Sequence, residues 1–316
     1  MKKKQPILSI CIPTYNRAEV LRDTLEHYTS CEEFNDEVEL IISDNASTDA
    51  TKSLCTEYAE QYKNIRYFRN KENIMDANFY TVLNYAKGEY LKLANDCVSF
   101  NNEALRYMKQ MLHTYRDSGD ALIFTSGYIY IPDQEVIVCE SLDQYFQALS
   151  IGFTNNNMFG CWKLDWEKVT DRSRYTHLKL QQVDWSCQIA LNAKKIILCN
   201  KDILTYHSKP SMTRVKYNWF KVHLDNYYTI LRPYNNNGEI SDRTMKNDRR
   251  NLLNFYKSYL YQIFLFHRDR GFETNGTWSY FYKWYKHDLF FYWFIVTMPF
   301  QYIYDRIKRQ LKKRKR

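Results

Sequence analysis

Hydrophobic residues in the first hundred positions form short continuous runs separated by amphipathic stretches. The runs are rich in β-branched and aromatic side chains, as expected of strands buried on both faces: ILSICI (7–12), VELIIS (38–43), IRYFRN (65–70) and YLKLA (90–94). Between them apolar residues recur at helical spacing, as in AEVLRDTLEHY. The order β-α-β-α-β-α-β predicts an α/β fold with a doubly wound, mostly parallel sheet and right-handed crossovers.

The remainder of the chain changes character once. After residue 101 the pattern predicts a helix over 103–116, a strand over 121–131, a helix over 183–193 and a strand over 195–199. From about residue 216 only helical runs remain, dense in Tyr, Phe, Trp, Lys and Arg. We therefore predict an α/β domain over residues 1–214 and a helical, basic and aromatic-rich extension over 215–316.

Local signals predict where two of the early helices begin and end. Ser47 or Thr48 is expected to cap the second helix, because a side-chain oxygen there can accept from the free backbone N–H groups of the first turn. Gly88 is expected to stop the third helix before the fourth strand.

Polar clusters follow three of the predicted strands. They are Thr14-Tyr15-Asn16-Arg17 after the first strand, Asp44-Asn45 after the second and Asn95-Asp96 after the fourth. In open parallel sheets ligands bind at the carboxyl ends of the strands, so these clusters predict a single binding site at one edge of the sheet.

Charge and cysteine usage narrow the class of protein. The net charge is +9, but residues 306–316 alone contain eight Lys or Arg and no acid. The rest of the chain is therefore close to neutral, and the excess charge does not indicate a nucleic-acid-binding surface.

The eight cysteines are scattered without a CxxC pair. This pattern favours free thiols in a reducing, cytoplasmic compartment over disulfides or zinc.

Three motifs carry a resemblance to a known family. LSICIPTYNRAEVLRDTL, ELIISDNASTDAT and GEYLKLAND, all within residues 7–100, resemble the nucleotide-binding half of glycosyltransferase family 2; the resemblance weakens over 101–210 and is absent after 215. It implies a GT-A, Rossmann-like fold that transfers a sugar from a nucleotide-sugar with inversion. It also implies a nucleotide-binding half over 1–100 and an acceptor half over 101–214.

The resemblance assigns roles at the donor site. Pro13, Thr14 and Tyr15 would lie against the nucleobase and ribose, and Asp44 or Asn45 would accept from the base or ribose, which fits uracil or thymine. Arg17, Asn78 and Asn95 are further expected donor contacts. The alternatives are a plain strand–helix turn at residues 13–17 and an Asx-turn at Asp44.

The motif LAND departs from the family's Asp-x-Asp pattern. Asn95 takes the first position, Asp96 the middle one and Cys97 the last, where the family binds Mg²⁺ or Mn²⁺. Because such ions keep several waters and need few protein oxygens, Asp96 with the Asn95 amide can still hold a divalent cation, and His207 can complete this metal or diphosphate site. A structural histidine is the alternative for His207. Lys209 and Arg214 are candidate phosphate contacts.

An inverting transfer also needs a general base for the acceptor hydroxyl. Asp184, at the head of the predicted helix over 183–193, is the expected base. Asp165 is the second candidate, and a helix cap without chemistry is the alternative role for Asp184.

The C-terminal region combines an apolar run over 289–304 with the basic cluster. A membrane span needs about 20 apolar residues, so we expect a helix lying on an anionic membrane surface; a core helix of a C-terminal bundle is the alternative.

These features together predict an inverting glycosyltransferase on the cytoplasmic face of the cell membrane. Its donor would be a nucleotide-sugar, with UDP-sugars favoured, and its acceptor a hydroxyl of a glycan or lipid-linked oligosaccharide in bacterial surface polysaccharide synthesis. The alternatives are a nucleotide-sugar-binding protein without catalysis and a membrane-surface scaffold.

Overall fold

The structure is a computed structural model that describes residues 5–129, 134–207, 217–265, 271 and 273–314. The chain divides into two compact units, Met1–Thr213 and Arg214–Arg316.

The strands of the first unit are β1 (Leu8–Thr14), β2 (Val38–Asp44), β3 (Ile65–Arg69), β4 (Tyr90–Leu93), β5 (Val98–Ser99), β6 (Ala121–Phe124), β7 (Val136–Cys139), β8 (Gly160–Trp162), β9 (Ile196–Cys199) and β10 (Thr205–Tyr206). Its helices are α1 (Ala18–Thr29), α2 (Thr51–Gln61), α3 (Asn78–Tyr85), α4 (Asn102–Tyr115), α5 (Leu142–Leu149), α6 (Lys163–Lys168) and α7 (Gln181–Asn192). The second unit contains α8 (Tyr227–Asn236), α9 (Asp242–Leu260), α10 (Thr277–Tyr285) and α11 (Leu289–Arg314).

The central sheet has the strand order β3-β2-β1-β4-β8. Strands β1 to β4 run parallel, and β8 is antiparallel to β4. This confirms the predicted mostly parallel sheet. A second sheet, β6-β9-β7, and a short pair, β5-β10, complete the unit. The predicted strand over 121–131 is shorter, since β6 ends at Phe124 and both Ser126 and Gly127 have positive φ, which bends the chain into a turn.

The central strands form because their side chains find apolar partners on both faces. All seven residues of β2 are buried, and Ile10 and Ile12 of β1 are fully buried. The apolar stripe of α4, including Leu105 and Met108, packs into the same core. Helix α4 begins where the side chain of Asn101 accepts from the backbone N–H of Ala104, so its first turn is satisfied locally.

Neither Gly88 nor the Ser47-Thr48 pair has the role at a helix end that the sequence predicted: α3 ends before Gly88, and α2 begins after Thr48. A Cβ atom at Gly88 would lie 2.5 Å from Oγ of Ser9, so glycine is required by the close approach of two backbones, and α3 ends earlier, at Tyr85. Helix α2 begins at Thr51, whose backbone N–H donates to Oδ1 of Asp49 at 3.0 Å. Ser47 instead accepts from the backbone N–H of Asn16, at 2.9 Å.

Lys92 of β4 is completely buried and is held by backbone oxygens. Its Nζ donates to the backbone oxygens of Asn157 and of Phe159, the latter at 3.2 Å. Burial lowers the pKa of Lys92 from 10.5 to about 7, because removing water disfavours the charged form. The lysine thereby attaches the 157–159 segment to the strand that leads to Asp96.

The second unit has a core made mainly of aromatic rings. Tyr228, Tyr256 and Tyr285 are fully buried. Their hydroxyl groups donate to Oδ2 of Asp248 at 2.7 Å, to the backbone oxygen of His223 at 2.6 Å and to that of Arg249 at 2.8 Å, respectively. A tyrosine-rich core is therefore stable here because each of these hydroxyls finds an acceptor when its ring is buried.

Helix α11 is apolar on two faces. Phe291, Phe294 and Met298 are buried within the second unit, whereas an opposite set at helical spacing is exposed: Leu289, Tyr292, Trp293, Val296, Phe300, Ile303 and Tyr304. We call this second set the outer face of α11. Among the described residues, none of the helices is both long enough and apolar enough to cross a membrane.

We predict that Lys92→Met removes a pH-dependent part of the stability. The unfolded chain keeps the Lys92 proton up to about pH 10.5, and the folded chain releases it near pH 7, so the unfolded chain binds more protons between these values. Wild-type stability should therefore gain about 1.4 kcal/mol per pH unit relative to the variant.

Urea unfolding of both proteins between about pH 7.5 and pH 9.5 measures this difference. The buried cysteines and tyrosines titrate in both proteins alike, so their contribution cancels. Parallel stability–pH curves for the two proteins would contradict the prediction.

Candidate active site

The ends of β1 and β4 meet in a small polar cluster around Asp96. Oγ1 of Thr14 donates to Oδ2 of Asp96 at 3.0 Å, and Nη2 of Arg17 lies 3.2 Å from Oδ1. The hydroxyl of Thr24 donates to the backbone oxygen of Asp96 at 2.8 Å. The structure therefore brings together three of the predicted site residues, because β1 and β4 are parallel neighbours.

The electrostatics of this cluster rest on one ion pair. Burial raises the pKa of Asp96, and Arg17 and the Thr14 hydroxyl oppose that rise by favouring the carboxylate. The Arg17 side chain is 20% exposed, and its Nε is buried with no acceptor in the described part of the chain. Arg17 thus carries both a permanent charge and a donor still to be satisfied.

Asp44 is fully buried and its carboxylate is held on both oxygens. Oδ1 accepts from the backbone N–H of Ser47 at 2.8 Å. Oδ2 accepts from the hydroxyl of Tyr67 at 2.8 Å and from Nη1 of Arg69 at 2.5 Å. These contacts order the turn after β2. The nucleobase role expected for Asp44 stays a prediction, and because the side chain is fully buried a neighbouring group would have to move to give a base access.

Asn45 is saturated within the protein. Its Nδ2 donates to Oδ1 of Asn73 at 2.7 Å and to the backbone oxygen of Met75 at 3.2 Å. Its Oδ1 accepts from Nδ2 of Asn70 at 3.1 Å and from the backbone N–H of Ile74 at 2.9 Å. The amide therefore fixes the 70–75 loop against the end of β2, and its nucleoside role stays a prediction.

Asn78 has a similar position beside the sheet. Its Nδ2 donates to the backbone oxygen of Ser43 at 2.8 Å, and its Oδ1 accepts from Oγ of Ser43 at 2.6 Å. These bonds join the first turn of α3 to the end of β2. Asn78 is 3% exposed, so a direct donor contact by its side chain stays a prediction.

The predicted residues that remain open to solvent lie around Asp96. Tyr15 is 43% exposed, and Pro13 and Asn95 are half-buried. The backbone N–H of Asn95 donates to Oδ1 of Asn157 at 2.7 Å. The accessible rim of the site consists of Tyr15, Pro13, Asn95 and Arg17. A flat exposed ring at this rim is suited to packing against a nucleobase.

The residues present do not fit a divalent ion. Asp96 supplies a carboxylate that Arg17 and Thr14 already engage. Over the described ranges, the structure has no group of three or more His, Cys, Asp or Glu side chains placed to hold a metal. The loop thus offers one carboxylate, and because that carboxylate already pairs with a guanidinium group it is a poor ligand for a divalent ion.

His207 lies in a hydrogen-bonded chain beside this loop. Its backbone N–H donates to the backbone oxygen of Cys97 at 2.8 Å, and its Nε2 is 2.8 Å from Oγ of Ser99. The same Oγ is 2.8 Å from Nδ1 of His27. Burial, and to a smaller extent the charge of His207, lowers the pKa of His27. Lys209 and Arg214 lie outside the described residues.

Asp184 lies in the first turn of α7, in a second cluster. Its Oδ1 is ion-paired with Arg174, and its Oδ2 accepts from Nε2 of Gln188 at 2.8 Å. The Asp184 side chain is almost fully buried, whereas that of Arg174 is 41% exposed. The second candidate base, Asp165, is paired on α6 with Lys168 at 3.0 Å. The catalytic role of Asp184 stays a prediction.

One segment links the head of α7 to the end of β2. The head of α7 contacts the loop before α3, where Nε2 of Gln181 donates to the backbone oxygen of Asp76 at 2.9 Å and Nζ of Lys179 pairs with the Asp76 carboxylate at 2.9 Å. The preceding residue, Met75, accepts from Asn45. The candidate base and the end of β2 are therefore held by the same loop.

Sequence reasoning missed Arg69, Arg174 and Asn157. The signal for Arg69 is the strand register, because Arg69 stands directly beside Asp44 in the parallel pair of β3 and β2. Asn157 lies in an irregular segment, and Arg174 follows a residue with positive φ, Asp171, so no periodic pattern marks either.

Comparison with known proteins gives a match over the same part of the chain. Residues 9–129 match the family described as Glycosyl transferase family 2. The abequosyltransferase RfbV of Salmonella typhimurium is 33% identical over 139 residues, which cover 43% of this chain and 38% of the relative. An uncharacterized glycosyltransferase of Mycoplasma genitalium, MG025, is 24% identical over 129 residues, which cover 41% of this chain and 42% of the relative. The chain thus spans about two fifths of the length of these curated relatives.

Among solved structures, the first 349 residues of S. aureus TarS in complex with UDP superimpose with a TM-score of 0.54 at 16% identity, covering 80% of this chain and 71% of that one. The complex of the same fragment with UDP-GlcNAc gives a TM-score of 0.53 at 14% identity, covering 80% and 72%. At this identity the likeness shows a shared GT-A-type fold, as the sequence predicted.

We predict that Asn45→Asp lowers the free energy of unfolding by about 1–3 kcal/mol, because Oδ1 of Asn73 and the backbone oxygen of Met75 would both face a carboxylate without a proton to donate. Urea unfolding measures the loss. Asn102→Asp is the matched control, since Oδ1 of Asn102 accepts from the backbone N–H of Glu33 and an aspartate can still accept there. Equal stability of the two variants would show that the Asn45 amide is not needed by the fold.

Proposed function

We propose that this protein transfers a glycosyl residue from a nucleotide-sugar to a hydroxyl group of a growing glycan, with inversion at the anomeric carbon, because residues 9–129 match the model of glycosyltransferase family 2. The observation that carries the proposal is the cluster of Thr14, Arg17 and Asp96 at the carboxyl ends of β1 and β4. It combines a cation, a rim accessible to solvent and the edge of the sheet at which α/β proteins bind nucleotides.

In the proposed reaction Asp184 is the general base. The acceptor hydroxyl loses its proton to the Asp184 carboxylate as its oxygen forms a bond to the anomeric carbon. The bond from that carbon to the diphosphate breaks on the opposite face, and the nucleoside diphosphate leaves with the electron pair. The acceptor would approach Oδ1, since the Arg174 side chain that covers this oxygen is partly exposed and can be displaced.

The donor and acceptor are proposed at the level of chemical class. A UDP-sugar is the favoured donor, and the TarS fragment crystallised with UDP and with UDP-GlcNAc is the reason to test uridine nucleotides first. The relative RfbV is named as a transferase of one particular sugar, abequose, so the sugar is expected to differ among such proteins. The acceptor is proposed to be a glycan or a lipid-linked oligosaccharide in bacterial surface polysaccharide synthesis.

We further propose that the protein works at the cytoplasmic face of the membrane. The outer face of α11 exposes Trp293, Val296 and Phe300 by 55%, 70% and 71%, and the basic run that begins at residue 306 continues the same helix to Arg314. Aromatic and aliphatic side chains next to clustered cations suit the interface of an anionic bilayer. Each basic residue near such a surface contributes about 1 kcal/mol before salt screening.

We predict that Asp184→Asn lowers kcat about 100-fold or more and leaves nucleotide binding unchanged, because the amide cannot accept the acceptor's proton. Turnover is measured as release of nucleoside diphosphate from the nucleotide-sugar, and binding by calorimetry. Thermal melting must accompany both, since the substitution also alters the contacts with Arg174 and Gln188.

Asp165→Asn is the control for this prediction, because Asp165 is the other candidate in the acceptor half. It should retain wild-type kcat. Loss of turnover in Asp165→Asn with normal turnover in Asp184→Asn would transfer the role of the base to Asp165.

We predict that the double variant Val296→Asp/Phe300→Asp loses most of its binding to vesicles that contain anionic phospholipid, because two carboxylates on the outer face of α11 are repelled by the surface and cannot enter it. Co-sedimentation with vesicles at low and high salt measures this. Leu164→Asp, a change at an exposed apolar residue of α6, is the control and should bind as the wild type does. Equal co-sedimentation of all three proteins would remove α11 as the membrane-binding element.

A further inference from the structure

We infer that this protein binds the diphosphate of its donor through the guanidinium group of Arg17, without a divalent cation. The inference rests on the proposed function, since it concerns the same donor site. It differs from the expectation that the family resemblance gives, which is an ion held by the Asp-x-Asp loop.

The loop itself supplies few ligands for a divalent cation. Asn95, Asp96 and Cys97 stand at the three motif positions, so the loop contains one carboxylate. Mg²⁺ and Mn²⁺ are hard cations that prefer oxygen ligands. The amide oxygen at the first position is a neutral ligand and therefore weaker than a carboxylate, and the thiol at the last position is a poor ligand for a hard cation.

The one carboxylate of the loop, that of Asp96, already has a cation as its partner. Nη2 of Arg17 lies 3.2 Å from Oδ1 of Asp96, and the hydroxyl of Thr14 donates to Oδ2 at 3.0 Å. An ion bound to Asp96 would have to displace the guanidinium group or lie within a few ångströms of its positive charge. Because arginine stays protonated at all ordinary pH values, this repulsion cannot be relieved by loss of a proton.

Arg17 retains N–H donors that Asp96 does not use. A guanidinium group has five N–H donors, and Asp96 uses one of its nitrogens. A fifth of the Arg17 side chain is open to solvent, so a ligand at the rim can reach this part of the guanidinium group. A phosphate group at this rim can accept two parallel hydrogen bonds from such a planar cation.

This arrangement meets the charge requirement of the transfer. When the bond between the anomeric carbon and the diphosphate breaks, the electron pair remains on the diphosphate oxygen, and the leaving group gains one negative charge. Arg17 supplies one positive charge at that place, and Asp96 and Thr14 hold the guanidinium in position. The acceptor proton goes to Asp184, so neither a further cation nor a co-reactant is needed for balance.

Calorimetric titration of the full chain with UDP, GDP, CDP and dTDP tests the inference, each in EDTA and each in Mn²⁺. We expect one nucleotide to bind with the same affinity, within about threefold, under both conditions. Binding that requires Mn²⁺ would overturn the inference and leave the proposed function standing. Absence of binding by every nucleotide under both conditions would overturn the two together.

Variants of Arg17 then identify the group responsible. Arg17→Ala should weaken nucleotide binding in EDTA about 10- to 100-fold, the effect of losing charge-assisted hydrogen bonds. Arg17→Lys, which keeps the charge but not the planar fork, should lose less. Arg22→Ala, a change at an exposed arginine on α1, is the matched control and should bind as the wild type does. Wild-type affinity in Arg17→Ala, with an unchanged melting temperature, would overturn the assignment.

The variant Cys97→Asp tests whether the missing carboxylate is the reason that no divalent cation is needed. It restores a second carboxylate to the loop and should bind UDP about fivefold or more tightly in Mn²⁺ than in EDTA. Paramagnetic resonance of Mn²⁺ alone should show bound metal in this variant and free metal in the wild type. Tight binding of Mn²⁺ by the wild type would overturn the inference without reference to any nucleotide.

Discussion

The architecture of this protein depends on β1, which is hydrogen-bonded along both edges. Its parallel pairing with β2 places Thr14 beside Asp44, and its pairing with β4 places the end of the strand next to the loop that carries Asp96. Strands β1, β2 and β4 are buried on both faces, so a shift of register between them would bury polar side chains from the strand ends and expose apolar ones. The positions of the polar residues at the strand ends are therefore fixed by the apolar core beneath them.

Polar residues at that edge divide into those that build the site and those that remain available to a ligand. Asp44, Asn45 and Asn78 are buried and bound within the protein, and they fix the loops after β2 and before α3. Tyr15 and Arg17 are partly exposed. The buried side chains have their hydrogen-bonding groups bound within the protein, so they support the exposed residues rigidly. A site supported in this way can hold a ligand in one orientation.

Each unit uses buried polar groups in its own way. In the first unit, Lys92 and Asp184 are buried next to loops that lead to the site, where they fix irregular segments that no helix or sheet would hold. In the second unit, buried tyrosine hydroxyls bind acceptors in neighbouring helices, and α11 exposes its outer face. Its composition, dense in tyrosine and basic residues, is therefore accounted for by packing on one side of α11 and by surface chemistry on the other.

The sequence by itself determined the alternation of strands and helices from β1 to β4, the mostly parallel sheet, the edge at which the polar residues gather and the loss of a carboxylate at Cys97, because these follow from local pattern and residue type. Only the tertiary structure decided which polar groups are already bound. Asp96 is held by Thr14, which is 82 positions away, and Asp44 is paired with Arg69, which is 25 positions away. Such partners depend on strand register and on irregular loops, where hydrophobic periodicity carries no information.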